Sequence, residues 1–148
     1  MFRGSSFHTI DAKGRIIVPA RFREAVRAGG ADAIMVSQMD RCLVGYPLEE
    51  WQKIEDRIMT LAEKSESLRR FRRVFIGGAH ECTFDRQDRI LIPPTLRQYA
   101  AMEKQIVMVG VLDHFEIWSK ANWDAEHQRL EDDMKIEEVR NEIARLGL

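Results

Sequence analysis

The chain has 148 residues, 45% of them hydrophobic and 32% charged, the balance of a folded globular chain rather than of a disordered or membrane-embedded one. No apolar run reaches the roughly 20 residues that a bilayer crossing needs, and the opening Arg3-Gly4-Ser5-Ser6 lacks the apolar stretch of a signal peptide. A cytoplasmic protein is expected, with Cys42 and Cys82 as buried or half-buried free thiols, since neither lies in a CxxC pair. The net charge of −1 argues against polyanion binding when taken as a total. Its distribution is uneven: residues 1–27 carry six bases against two acids, and residues 124–148 eight acids against four bases. Opposite patches of this kind cancel in the sum while presenting separate faces.

In chain order, His8 to Ile10 and Ile16 to Val18 flank a turn holding Asp11 and Gly14, which predicts a hairpin. Pro19 suits entry to a short helix running to about Ala28, stopped by Gly29-Gly30. Ile34-Met35-Val36 and Cys42 to Tyr46 predict a second hairpin around Asp40. After Pro47, Trp51, Ile54, Ile58 and Leu61 step by three and four, the stripe of an amphipathic connecting helix. The arginines Arg69, Arg70, Arg72 and Arg73 end that connector ahead of a strand expected at Val74-Phe75-Ile76. Further strands are expected at Thr83-Phe84, Ile90 to Ile92, Ile106 to Val111 and Phe115 to Trp118, with a helix after Pro93-Pro94. Ile136, Val139, Ile143 and Leu146 predict a C-terminal helix with one apolar edge in want of a partner surface.

These elements repeat. A shift of 74 positions lays Thr9 through Pro19 over Thr83 through Pro93 and Phe22-Arg23 over Leu96-Arg97; a shift of 72 lays Tyr46 to Trp51 over Trp118 to Trp123. The expected architecture is α+β and β-rich. It divides into a first unit at 1–52, a connecting helical segment at 53–73, a second unit at 74–124 and a C-terminal helix at 125–148. Half-length units are too small to bury a core alone, so the two are expected to share one.

The constellation that carries chemistry is Asp-x-x-x-Arg at a turn, present as Asp11/Arg15 and Asp85/Arg89. Such a pair can simply fix its own turn. The first copy adds Lys13 and Gly14, two cations around a residue with no side chain that a polyanion backbone could approach closely. The segments Phe2-Arg3-Gly4, His8 through Ile16 and Pro19 through Arg23 resemble the MraZ family, as do Pro47-Leu48-Glu49-Glu50-Trp51, Phe75 through Ala79, the repeat spacing and the total length. The resemblance implies two tandem SpoVT/AbrB-like units of swapped hairpins forming an intrachain pseudo-dimer. It also implies a bacterial DNA-binding transcriptional regulator, repressor before activator, acting on the cell-division and cell-wall gene cluster. Ring-shaped homo-oligomers would bind short G-containing direct repeats in double-stranded DNA at the nucleoid.

Carried over by position, the family's charged motif falls on Asp11, Lys13, Gly14 and Arg15 in the first copy and on Asp85 and Arg89 in the second; DNA contact is expected from Arg15, Lys13, Arg3 and Gly14, with Asp11, Asp85 and Arg89 bracing the turns and direct contact by Asp85 and Arg89 the lesser alternative. Gln87 and Asp88 replace the Lys-Gly pair in the second copy, so the first copy is expected to dominate. Arg15 is the base reader, with Arg3 and Lys13 nearby on phosphate; Arg23, whose equivalent recurs as Arg97, is expected to be structural. No cofactor, metal, membrane or small-molecule substrate is expected: His8, His80, His114 and His127 form no HExxH pairing, His80-x-Cys82 supplies only two of the four ligands of a closed zinc site, and no glycine-rich phosphate loop is present. An assembly scaffold or antitoxin-like partner binder is the rival reading, and an enzyme the weakest.

Overall fold

The structure, a computed structural model, describes residues 1–61 and 65–148; residues 62–64 of the expected connecting segment lie outside the described residues. Its defining feature is an exchange of strands between the repeats. In the first repeat β1 (Ser5–Thr9) is followed by β2 (Arg15–Ile17), α1 (Ala20–Arg27), β3 (Ala33–Met39) and β4 (Cys42–Pro47). In the second, β5 (His80–Thr83) is followed by β6 (Arg89–Leu91), α4 (Pro94–Tyr99), β7 (Gln105–Gly110) and β8 (Phe115–Ser119). The first strand of each repeat pairs antiparallel with the other repeat: β1 with β7, from Ser5 opposite Val109 to Thr9 opposite Gln105, and β5 with β3, from Ala33 opposite Thr83 to Val36 opposite His80. The resulting order β1-β7-β8-β4-β3-β5 is symmetric about the β4/β8 pair. The remaining strands, β2 and β6, form a separate two-stranded ladder.

The local hairpin expected around Asp11 and Gly14 is therefore corrected. The turn exists, closed by Asp11 N–H donating to Arg15 O at 3.1 Å and Gly14 N–H to Asp11 O at 3.0 Å. The strands it joins go to different partners because pairing β2 with β6 buries Ile16, Val18, Ile90 and Ile92 almost completely. The hairpins at β3–β4 and β7–β8 are local. In the first, Asp40 and Arg41 both adopt positive φ, 53° and 66°, the two-residue turn that matches strand twist.

The sheet is covered on both faces. One face buries Ile34, Leu43, Ile106, Met108 and Phe115 against α1, α4 and the ladder, in a single cluster that also contains Phe22 and Leu96. Phe2, Phe22 and Phe115 meet there with ring centroids 5.3–5.4 Å apart, which pins the N-terminus over the core. The other face carries α2 (Leu48–Thr60) and α3 (Glu66–Gly77), with Trp51 and Phe75 stacked at 5.2 Å over Val44. α5 (Lys120–Asp133) lies on the same face, where Trp123 packs on Trp118.

Three expectations change here. Val74-Phe75-Ile76 is helical, the last turn of α3, not a strand: Ser65 caps that helix by accepting from Leu68 N–H, and Phe75 is held by Phe71 and Trp51. The connecting helix is two helices, and Leu61 leaves the stripe as the extended residue ending α2. The C-terminal helix is likewise two: α5 begins at Lys120, and α6 (Glu137–Ala144) restarts after an extended Ile136, with Glu137 and Glu138 in its first turn, where they suit the helix dipole. Cys42 and Cys82 are buried free thiols, and burial pushes the Cys82 thiol up to about 11.

Because each repeat lacks the partner of its own first strand, the fragments 1–61 and 65–148 should each be unfolded alone and should recover strand signal when mixed. Far-ultraviolet circular dichroism of the separate and combined fragments measures this; an independently folded fragment would contradict the exchange.

Candidate nucleic-acid interface

The two turns are built on one plan. Asp11 Oδ1 accepts the backbone N–H groups of Lys13 and Arg15 at 3.0 and 2.8 Å, and its Oδ2 receives Arg15 Nε at 2.6 Å. In the second repeat Asp85 Oδ1 accepts from the amides of Gln87 and Arg89 at 2.8 and 3.0 Å, and Oδ2 receives Arg89 Nε at 2.8 Å. Each aspartate thus spends both oxygens on its own turn. The backbone bond from Arg15 is the largest influence on the Asp11 carboxyl and, with the arginine side chain and its charge, holds it below the ordinary carboxylate range against the opposing effect of burial; Arg89 does the same for Asp85.

This arrangement engages Nε of each arginine and leaves its two terminal amino groups without a partner among the described residues. Arg15 is 30% exposed, neither sequestered nor free. The ladder determines what stands beside it. Arg15 lies opposite Leu91, and Ile17 opposite Arg89, so alternation puts all four on one face while Ile16 and Ile90 point into the core. Ile17 and Leu91 are 53% and 56% exposed. Arg15 and Arg89 are diagonal neighbours, roughly 7–8 Å apart in such a pair. Reading the sequence alone gave Arg89 mainly a bracing role and missed this shared face, for which the 74-residue repeat was the available signal.

The other site candidates fall in different places. Lys13 is exposed and without an ion pair among the described residues. Arg3 does not join it. It precedes β1 at the end away from the turn, six residues before Thr9 and so roughly 20 Å away along an extended strand, and its carbonyl receives Arg21 Nε at 3.3 Å. Gly14 is buried, with φ +92°, and a Cβ there would lie 2.8 Å from Cζ of Arg97. The close approach its missing side chain permits is made by an arginine of the other repeat, not by open solvent. Arg23 contributes to the second turn: its Nη1 donates to Val18 O, and its Nη2 lies 3.5 Å from Asp88 Oδ2.

Among the described residues no group of three or more His, Cys, Asp and Glu converges as a metal site, and no helix is long and apolar enough to cross a membrane. The duplicated sheet with exchanged strands and a separate ladder defines a pseudo-dimeric α+β protein built from two tandem units. The profile of the family described as "MraZ protein, putative antitoxin-like" matches residues 1–73 and again 75–145, one match to each repeat. "Transcriptional regulator MraZ" of Desulforapulum autotrophicum is 60% identical over 148 residues, all of both chains. The protein of that name from Desulfosudis oleivorans is 51% identical over 148 residues, again all of both chains, and the one from Syntrophobacter fumaroxidans 46% over 132 residues, 89% of this chain and 87% of that one. The chain belongs to the MraZ family, and as a member it is a transcriptional regulator, not an enzyme.

The depressed carboxyls have a consequence for acid stability. A carboxyl whose folded pKa lies below its unfolded value stabilises the fold above that unfolded value, near 3.9 for Asp, and the contribution is lost as pH falls through the lower folded value. Asp11 and Asp85 should titrate below ordinary aspartate in carbon-13 spectra of the side-chain carboxyls. The stability difference between the wild type and Asp85→Asn should be constant from pH 7 to about 5 and shrink progressively as pH falls below about 3.9.

Proposed function

We propose that the outward face of the β2–β6 ladder reads double-stranded DNA. The chain would then be a sequence-specific transcriptional repressor of the bacterial cell-division and cell-wall gene cluster. It would act at the nucleoid, in the cytoplasm, on short G-containing direct repeats. The observation that carries the reading is the ladder itself, a two-stranded ribbon whose exposed face holds two aspartate-braced arginines. The major groove admits a ribbon of this width, and an arginine fork can bond O6 and N7 of guanine together. With Nε held by Asp11, the terminal amino groups of Arg15 are oriented in advance, which lowers the entropy lost on contact.

Lys13 takes a phosphate as a point charge, and Gly14 supplies the left-handed bend between the two cations. Arg3, from its separate position beside Arg21, takes a second phosphate further along the duplex. Asp11 orients Arg15, while Asp85 and Arg89 fix the second turn. Exposed apolar residues on α3 (Leu68, Phe71, Val74) and around α6 (Ile136, Leu146) support self-association into a ring. α3 is rich in arginine and α6 in glutamate, so a head-to-tail contact that closes is favoured by charge. Aligned copies would multiply a weak single contact.

Arg15→Ala should weaken binding to a duplex of G-containing direct repeats by about 1–3 kcal/mol per contacted site and remove the preference over a scrambled duplex. Fluorescence anisotropy measures this, and unchanged preference would eliminate Arg15 as reader. The same exposed helices favour one other reading, a scaffold that assembles without DNA. Size-exclusion chromatography with and without the duplex separates the two, since a scaffold would elute unchanged.

A further inference from the structure

The two turns share their bracing but differ in what the arginine of the opposite repeat finds there. At the second turn, Asp88 occupies the position equivalent to Gly14, also with positive φ, 61°. It receives Arg23 at 3.5 Å and Arg27 at 3.2 Å, and Arg27 is held in turn by Asp32 at 2.9 Å. Arg23 and Arg27, the cations that reach that turn from the first repeat, are thus paired within the chain.

At the first turn the equivalent of Arg23 is Arg97, and no carboxylate meets it. Its guanidinium lies on the bare Cα of Gly14. Nε of Arg97 is buried without a hydrogen-bond partner, and its side chain makes no ion pair among the described residues. Asp11, whose oxygens bond the Lys13 and Arg15 amides and the Arg15 side chain, makes no bond to Arg97. Glu103 lines the same shallow hollow as Arg97 without pairing to it. A buried guanidinium N–H without an acceptor is costly, because its hydration is lost and nothing replaces it. Arg97 is half-buried and lines that hollow at the surface, whereas at the second turn the equivalent position carries the Asp88 carboxylate.

We infer that Arg97, with the Gly14 backbone beneath it, forms a phosphate-oxyanion seat at the first turn, completed by the second repeat and occupied by an external anion where the second turn carries Asp88. With Lys13 and Arg15 adjacent in sequence, the seat extends the ladder face described above, and its assignment to a duplex phosphodiester rests on the DNA-reading proposal. The anion forms charge-assisted hydrogen bonds with the guanidinium, and no covalent step is involved.

The test uses the full chain and the direct-repeat duplex, comparing the wild type, Arg97→Gln and Arg97→Lys. Each phosphate contact contributes about 0.9 to the slope of log affinity against log salt. Arg97→Gln should flatten the slope by that amount per seat engaged, so that the wild type's loss between 50 and 200 mM salt shrinks by about three- to four-fold. It should weaken direct-repeat and scrambled duplexes equally, whereas Arg15→Ala removes the difference between them. Arg97→Lys should retain the wild-type slope. A packing role alone would lower the melting temperature of Arg97→Gln and leave the slope untouched.

A second arm uses inorganic phosphate. The Nε–H resonance of Arg97, assigned by its loss in Arg97→Gln, should shift as phosphate is added at constant ionic strength. A phosphate shift with an unchanged duplex slope would assign the seat to free phosphate and overturn the phosphodiester. Neither effect would overturn the seat itself. Were the wild type to bind no duplex, the DNA reading would fail separately, and the phosphate arm would still decide for or against the seat.

Discussion

The exchange of first strands between the repeats is the constraint on which the rest of the structure depends. Without β1 on β7 and β5 on β3, each repeat would leave a sheet edge open and half a core exposed, and a unit of that size buries too little apolar surface to compensate for ordering its chain. The exchange also creates the ladder. β2 and β6 are displaced from the main sheet because their neighbours have been given away, and they pair because their inward residues, Ile16 and Ile90, seal the same core. The face that carries the arginines is therefore a by-product of closing the core. Its geometry is as fixed as the packing beneath it.

Electrostatics then differentiates two turns that packing makes alike. Both aspartates are used in the same way, on two backbone amides and one Nε. The surroundings differ by a few side chains: Ala12 against Arg86, Lys13 against Gln87, Gly14 against Asp88. Those changes tie Asp88 at the second turn to Arg23 and Arg27, and leave Lys13 and Arg97 at the first without an ion pair among the described residues. The near-zero net charge of the chain conceals this, because the acids that balance it are concentrated in α5 and α6.

Much of this was legible in the sequence. The repeat, the Asp-x-x-x-Arg turns and the alternation along each strand are local patterns, and they mark out most of the elements and the two aspartate–arginine pairs. Strand partners were not legible, since alternation tells which face a residue takes and not which strand it meets; the hairpin drawn between β1 and β2 failed for that reason. Val74-Phe75-Ile76 resembles a strand because β-branched and aromatic residues favour one, and it is helical with Phe75 stacked on Phe71 one turn back in α3 and on Trp51 of α2, a contact that arrives from elsewhere in the chain. Gly14 resembled an open tip for the same cause, as Arg97 lies 83 positions away in the sequence. Arg3 and Arg15, close in the numbering, are held apart by the length of β1.

Joining both copies in one polypeptide has an effect beyond saving an association step. Two identical chains wound together this way would be compelled to keep both ends of the ribbon the same, and so to meet a partner indifferently in either sense. A single chain is released from that identity. Once glycine stands at one end and aspartate at the other, the ribbon acquires a head and a tail, and whatever lies along it is met with a direction.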